Sequence, residues 1–313
     1  MYKRTQSSQR RRNVRKSRFV RYGYVLPSVV LLLLFFFSPV GYNIWLSLQK
    51  ISLFQLKRGG TFIGIDNYVR LFGSQDFWLS LWNTVFWLTI VTVAIRIVLG
   101  LGLALLVESR ALRRWHLSGL ARSMLLIPWI TPPVVAVAAW QWLLEPRYGV
   151  LNQIIVGLGI AKQGIPFLVQ TSTVWIGIVI LIVWRELPFV AISLLSGLKS
   201  IPEELYESAR VEGANSRQTF FHITLPLLRP ILTVVTLLIT IWTFNNFLYV
   251  WLTTGGGPGN FTQVLATLMY TESFVKYDLG YGATVGVTMT LIMLIFSIVY
   301  LRSIFRRNLE ENR

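Results

Sequence analysis

The chain has no cysteine and only two histidines, His116 and His222, in 313 residues. The first absence excludes a disulfide framework and a thiolate metal site, and two histidines are too few for a histidine-built centre. Charge is also scarce: 14% of residues are Asp, Glu, Lys or Arg against 54% hydrophobic, too apolar for a soluble domain of this length. Acids are scarcest, 13 against 30 Lys and Arg, for a net charge of +17. So few charges with so strong a bias point to membrane orientation rather than to nucleic acid. No internal repeat is visible, and no stretch between the apolar runs is long enough for a soluble domain. The first apolar run is too long for a removable signal and lacks a small-residue cleavage site. A membrane-embedded enzyme would need a metal or nucleophile–base cluster, and none is legible.

What the chain does have is six apolar runs, near 24–48, 81–107, 119–144, 174–198, 230–252 and 280–301. Each approaches the length that crosses about 30 Å of hydrocarbon. An even number places both ends on one side, and the basic residues decide which. Lys3, Arg4, Arg10, Arg11, Arg12, Arg15, Lys16, Arg18 and Arg21 precede the first run, and Arg110, Arg113, Arg114, Arg122, Lys199, Arg210, Arg217, Arg229, Arg302, Arg306, Arg307 and Arg313 fall on the same side. The other side holds only Lys50, Lys57, Arg58, Arg70, Arg147, Lys162 and Lys276. This asymmetry predicts cytoplasmic termini, with the basic tail also meeting anionic membrane lipid. Trp45, Trp78, Trp82, Trp140, Trp142 and Trp251 fall near run ends, as interfacial anchors do, and Trp242 falls deeper.

One stretch, 200–230, is polar between two spans. Ser200 with Glu203 three residues later reads as a helix start, and Glu203, Glu204 and Glu207 suit the helix dipole there. Gly213 ends that helix, Asn215 or Ser216 caps a second short one, and Pro226 stops it. A helix-turn-helix outside the bilayer is expected, on the cytoplasmic side by the charge rule. Composition alone gives an ordinary cytoplasmic loop.

Three ionisable residues lie within spans, where charge is costly and marks protein-facing or cavity-facing positions: Arg96, Arg185 and Glu186. Arg96 is expected to pair with a polar group on a neighbouring helix. Arg185 and Glu186 stand about 100° apart on a helix, with Pro188 freeing a carbonyl nearby, and read as cavity lining. Trp242, Thr243, Asn246 and Tyr249 share a face by their spacing. Aromatic surface beside amide and hydroxyl suits a sugar, while interhelical hydrogen bonding accounts for the polar members equally well. In the outer segments, Asp66 and Asn67 suit a helix start. The stretch from Thr254 to Asn260 fails as a phosphate cradle, because no Lys-Ser/Thr follows, and reads as a tight turn.

Glu207-Ser208-Ala209, then Gly213, Ile223 and Leu225-Pro226 at fixed spacing, resembles the EAA loop of membrane subunits in binding-protein-dependent ABC importers. Ser208 stands where that pattern has alanine. Leu125-Leu126-Ile127-Pro128-Trp129, Trp184-Arg185-Glu186-Leu187-Pro188-Phe189, Gly197-Leu198-Lys199-Ser200-Ile201-Pro202 and Phe244-Asn245-Asn246-Phe247 with the Gly-Gly-Pro turn extend the likeness. Together they resemble the carbohydrate-type permeases, the class containing the maltose transporter's sugar-binding membrane subunit and the glycerol-3-phosphate permeases.

The resemblance implies an all-α integral membrane protein of the type I importer permease fold, with six transmembrane helices and a cytoplasmic coupling helix. It implies a 1–22 basic tail, a 23–303 permease domain holding the 200–230 coupling loop, and a 304–313 cytoplasmic tail. The implied role is passage of a sugar or sugar-like solute (oligosaccharide, glycoside or polyol) across a bacterial or archaeal cytoplasmic membrane, with no catalytic residue. Glu207, Ser208, Ala209, Gly213, Ile223, Leu225 and Pro226 would meet the ATPase. Trp129, Pro133, Ile182, Arg185, Glu186, Phe189, Trp242, Thr243 and Asn246 would line the solute site. Glu186 stands where the maltose pattern has glycine and Ile182 where it has an amide, which argues for a solute other than maltose. The implied partners are a second homologous permease, two ATPase subunits and an extracytoplasmic solute-binding protein. ATP and Mg would sit on the ATPase, with no cofactor or metal in this chain. Either permease can carry the solute site. The rival is a secondary transporter driven by an ion gradient, for which Glu186 is the sole midplane carboxylate available.

Overall fold

The structure, a computed structural model, describes residues 24–109 and 118–311. The 1–22 tail, Arg110, Arg113, Arg114, His116 and Arg313 lie outside them. The chain is built from helices α1 (Tyr24–Ser47), α2 (Asp66–Gly73), α3 (Gln75–Glu108), α4 (Ser118–Ile130), α5 (Pro133–Leu143), α6 (Val150–Gly157), α7 (Val174–Lys199), α8 (Glu203–Val211), α9 (Ser216–Phe244), α10 (Leu248–Thr254), α11 (Leu265–Tyr270) and α12 (Leu279–Glu311). A two-residue antiparallel pair, β1 (Gln49–Lys50) and β2 (Thr61–Phe62), follows α1.

Five helices, α1, α3, α7, α9 and α12, are long and apolar enough to cross a membrane, and α4 with α5 makes a sixth crossing if the bent pair is one span. The bend is 97°. Residues 119–144 were expected as one run. Neither Pro132 nor Pro133 carries an N–H, and each disfavours helical backbone before it, so the helix breaks and restarts with Pro133 at its first turn.

The fifth span departs from expectation in the opposite direction. Pro226 and Pro230 both lie inside a helix that runs from Ser216 to Phe244, so Pro226 does not stop it. A wide π turn, Phe220–Thr224, immediately precedes Pro226, with the Leu225 N–H donating to the Phe220 carbonyl five residues back. That turn absorbs the mismatch a missing N–H would otherwise cause. The helix ends instead at Asn245, and residues 248–254 form a separate helix.

Small residues let the spans approach. A Cβ on Gly100 of α3 would stand 2.7 Å from Val190 Cγ1 of α7, and one on Gly197 of α7 would stand 2.6 Å from Ile231 Cδ1 of α9. The buried side chains form two main apolar clusters. One gathers Leu88, Ile182, Phe244, Tyr249 and Leu265 toward the end carrying β1 and β2. The other gathers Val93, Val190, Leu194, Leu228 and Ile239 toward the 200–230 loop. Glu186 and Thr243 fall between the two sets along α7 and α9, and Arg96 follows Val93 of the second set on α3.

At the β1–β2 end, Asp66 opens α2 as expected, and Asn67 Nδ2 donates to the carbonyls of Ser47 and Gln49 at 3.0 and 2.9 Å. The Thr254–Asn260 stretch is the expected turn, with Gly255 and Gly256 at φ +62° and +94° and Thr262 Oγ1 donating to the Gly257 carbonyl at 2.7 Å. Trp45, Trp78, Trp82 and Trp142 are exposed, consistent with anchoring. Trp140 is not: it is buried, edge-on to Trp184 with ring centres 5.7 Å apart.

Candidate functional site

Two regions carry the candidate residues. The first is the polar loop. Ser200 does not cap α8; its hydroxyl donates to the Gly197 carbonyl at 2.8 Å and so closes the end of α7. Pro202, in extended backbone, takes the N-cap position, where the side chain makes no capping bond. Glu203 and Glu204 occupy the first turn. Past the helix end, Gly213 sits at φ +77°, and the Ala214 N–H donates to the Ala209 carbonyl at 2.8 Å. A Cβ on Gly213 would meet nothing within 4 Å, so the left-handed backbone, not crowding, favours glycine there. Asn215 then caps α9 through a reciprocal box with Gln218, both bonds 2.9 Å.

On α8 the Glu207 and Ser208 side chains face solvent, with Glu207 64% exposed and loosely paired to Arg210 at 3.7 Å. Ala209 is buried, and the Tyr206 hydroxyl meets Thr224 Oγ1 at 3.2 Å. Ile223, Leu225 and Pro226 are half-buried on the arm that becomes the fifth span. The α8 hairpin is therefore continuous with α7 on one side and α9 on the other, and offers one polar face outward.

The second region lies within the spans. The Arg96 guanidinium is fully buried; Nη1 donates to Glu186 Oε2 on α7 and Nη2 to Thr243 Oγ1 on α9. Its Nε also reaches the Thr92 carbonyl at 3.2 Å, and Nη2 the Thr92 hydroxyl at 3.3 Å. The expected neighbour-helix partner of Arg96 is thus two partners on two helices. Thr92, which the sequence reading passed over, stands four residues before Arg96 on the same helix face, and that spacing was the available signal.

Beside this cluster runs a row of rings. Trp129 stacks on Phe189 with centres 5.3 Å apart, and Phe189 meets Trp242 at 4.9 Å. The Arg185 guanidinium carbon lies 5.7 Å from the centres of both Trp129 and Tyr249. The row draws on α4, α7 and α9, and 46% of Trp242 is exposed.

Four expected solute contacts are placed elsewhere. Ile182 is fully buried in the apolar core, and Thr243 is fully buried with its hydroxyl also donating to the Ile239 carbonyl at 2.6 Å. Neither offers surface to a solute in this state. Asn246 lies past the end of α9, where its Oδ1 accepts the Tyr249 N–H at 3.3 Å, so it does not continue the face of Trp242. Pro133 is half-buried at the start of α5, beyond the bend. Trp129, Arg185, Phe189 and Trp242 are brought together, and Glu186 adjoins them. The set is suited to holding a ring with polar substituents, not to bond-breaking chemistry.

Residues 96–310 match the family model described as binding-protein-dependent transport system inner membrane component. The chain is 34% identical over 296 residues to the trehalose/maltose transport system permease protein MalF of Thermococcus litoralis, covering 94% of this chain and 97% of that protein. It is 36% identical over 278 residues to the sulfoquinovosyl glycerol transport system permease protein SmoG of Agrobacterium fabrum, covering 89% and 88%. In fold it superposes on a chain of a bacterial ABC transporter involved in import of the acidic polysaccharide alginate, with a TM-score of 0.74, 22% identity, and coverage of 93% of this chain and 96% of that one.

Proposed function

The chain belongs to the family of binding-protein-dependent transport system inner membrane components, and from that membership we propose how it works as the sugar permease of an ATP-driven importer. It is a multi-pass membrane transporter subunit and not an enzyme. The solute is a sugar or sugar-like molecule, in keeping with the trehalose/maltose and sulfoquinovosyl glycerol permeases it is similar to. An extracytoplasmic binding protein delivers it, a second homologous permease completes the path, and two cytoplasmic ATPase subunits drive the cycle, holding ATP and Mg themselves.

The observation that carries this reading is the α8 hairpin. Its outward face bears Glu207 and Ser208, its turn is held by Gly213 at φ +77°, and its two arms continue into the spans that supply Arg185, Glu186 and Trp242. Docked in a groove of the ATPase, α8 passes ATP-driven closure to α7 and α9 together, a rigid-body switch of the spans.

The test is uptake into proteoliposomes holding the full importer. ATP-dependent uptake is expected, unaffected by collapse of the proton gradient. Glu207→Ala with Gly213→Val is expected to lower uptake at least tenfold and to reduce recovery of the ATPase with the permease. Uptake that survives without ATP but collapses with the gradient would select the secondary transporter. An unchanged double variant would remove the coupling role of α8.

A further inference from the structure

The intramembrane charges do not balance. Arg96 and Arg185 are two cations against the single carboxylate of Glu186, and Arg96 holds that carboxylate directly. Among the described residues Arg185 forms no ion pair, and its Nε is buried with no hydrogen-bond partner. One positive charge is left over inside the spans, where an unmatched charge is expensive. The rings of Trp129 and Tyr249, each centred 5.7 Å from the guanidinium carbon, offset part of that cost. They do not satisfy a buried N–H.

The position of this cation gives it a use. It stands at the Trp129 end of the Trp129–Phe189–Trp242 row, whose faces are the surface on which a sugar ring would lie. A substituent projecting from a ring seated there reaches the guanidinium. Arg presents a planar fork of donors that matches a carboxylate or sulfonate and gains little from a hydroxyl by comparison.

We infer that Arg185 recognises an oxyanion on the solute, so that the transported sugar is acidic, bearing a carboxylate or sulfonate on its ring. This rests on the importer reading, and it adds the charge of the solute to it. Glu186 holds Arg96 directly, while Arg185, beside the Tyr249 hydroxyl, keeps its Nε without a hydrogen-bond partner.

Saturation-transfer NMR on the purified full importer, with D-glucuronate and D-glucose as matched probes, tests the inference. The wild-type protein should favour glucuronate over glucose at least tenfold. Arg185→Gln should lower that ratio at least tenfold, and Arg185→Lys should leave it between the wild-type and Arg185→Gln values, because lysine keeps the charge and loses the planar fork. A wild-type ratio near one, or a ratio that Arg185→Gln leaves unmoved, would overturn the assignment. ATP-dependent uptake measured on the same preparation separates the two levels. Uptake that stands while the ratio fails removes only the role of Arg185, whereas loss of ATP dependence removes the importer reading and the inference with it.

Discussion

Arg96 shows how far a single residue can be read from sequence. A charge at mid-span must find polar company, and that much follows from solvation alone. The company itself does not follow: Glu186 is 90 positions away and Thr243 is 147, so the pairing exists only once α3, α7 and α9 are packed. The same packing buries Ile182 and Thr243, because spacing tells which residues share a helix face but not which face the bundle buries. The energetics give a sharp prediction. Removing one member of a buried pair strands the other, at a cost of about 3–5 kcal/mol, while replacing both with apolar groups is far cheaper. Glu186→Leu should therefore lower the thermal midpoint of the detergent-solubilised importer much more than the double variant Arg96→Met with Glu186→Leu. Equal losses in the single and double variants would show that the pair does not tie α3 to α7.

At the scale of elements, the spans and the α8 turn were legible, and the prolines were not. Pro132 with Pro133 breaks a helix, while Pro226 and Pro230 ride inside one, although the residue type is the same in each case. The difference lies in the wide turn Phe220–Thr224 and in two adjacent prolines removing two donors at once, neither of which composition displays. The glycines sort in a similar way. Gly197 faces Ile231 and Leu228 of α9, and a Cβ there would stand 2.6 and 2.8 Å from their methyl carbons, whereas a Cβ on Gly102 of α3 would meet nothing within 4 Å. Gly197→Leu should force α7 from α9 and cost about 1–3 kcal/mol, with Gly197→Ala milder because flexible side-chain ends can give way. Gly102→Leu, at an exposed apolar position, should be tolerated. Thermal midpoints of the three variants check the order, and a Gly102→Leu loss as large as that of Gly197→Leu would contradict this packing.

Across the whole molecule, the count of crossings and their direction decide whether α8 can serve an ATPase. Five span-length helices, with the pair bent by 97° counted as a sixth crossing, would return the chain to the side it started from. The Lys and Arg asymmetry then predicts that residues 200–230 lie in the cytoplasm, along with both termini. The absence of cysteine makes this directly measurable, since the natural chain is its own unlabelled blank. Ser216 opens α9 beside the hairpin turn, and Gln163 lies in the segment between α6 and α7; both are exposed. Neither residue carries charge, so replacing it leaves the orienting pattern intact. A membrane-impermeant maleimide applied to intact cells should label a Gln163→Cys chain and leave a Ser216→Cys chain unlabelled until the membrane is opened. The reverse pattern would put α8 outside the cell, beyond the reach of any nucleotide-driven subunit, and the coupling role of Glu207 and Gly213 would fall with it. Labelling of both from outside would mean an even number of crossings between Gln163 and Ser216, and the bundle's path through α7 would have to be redrawn.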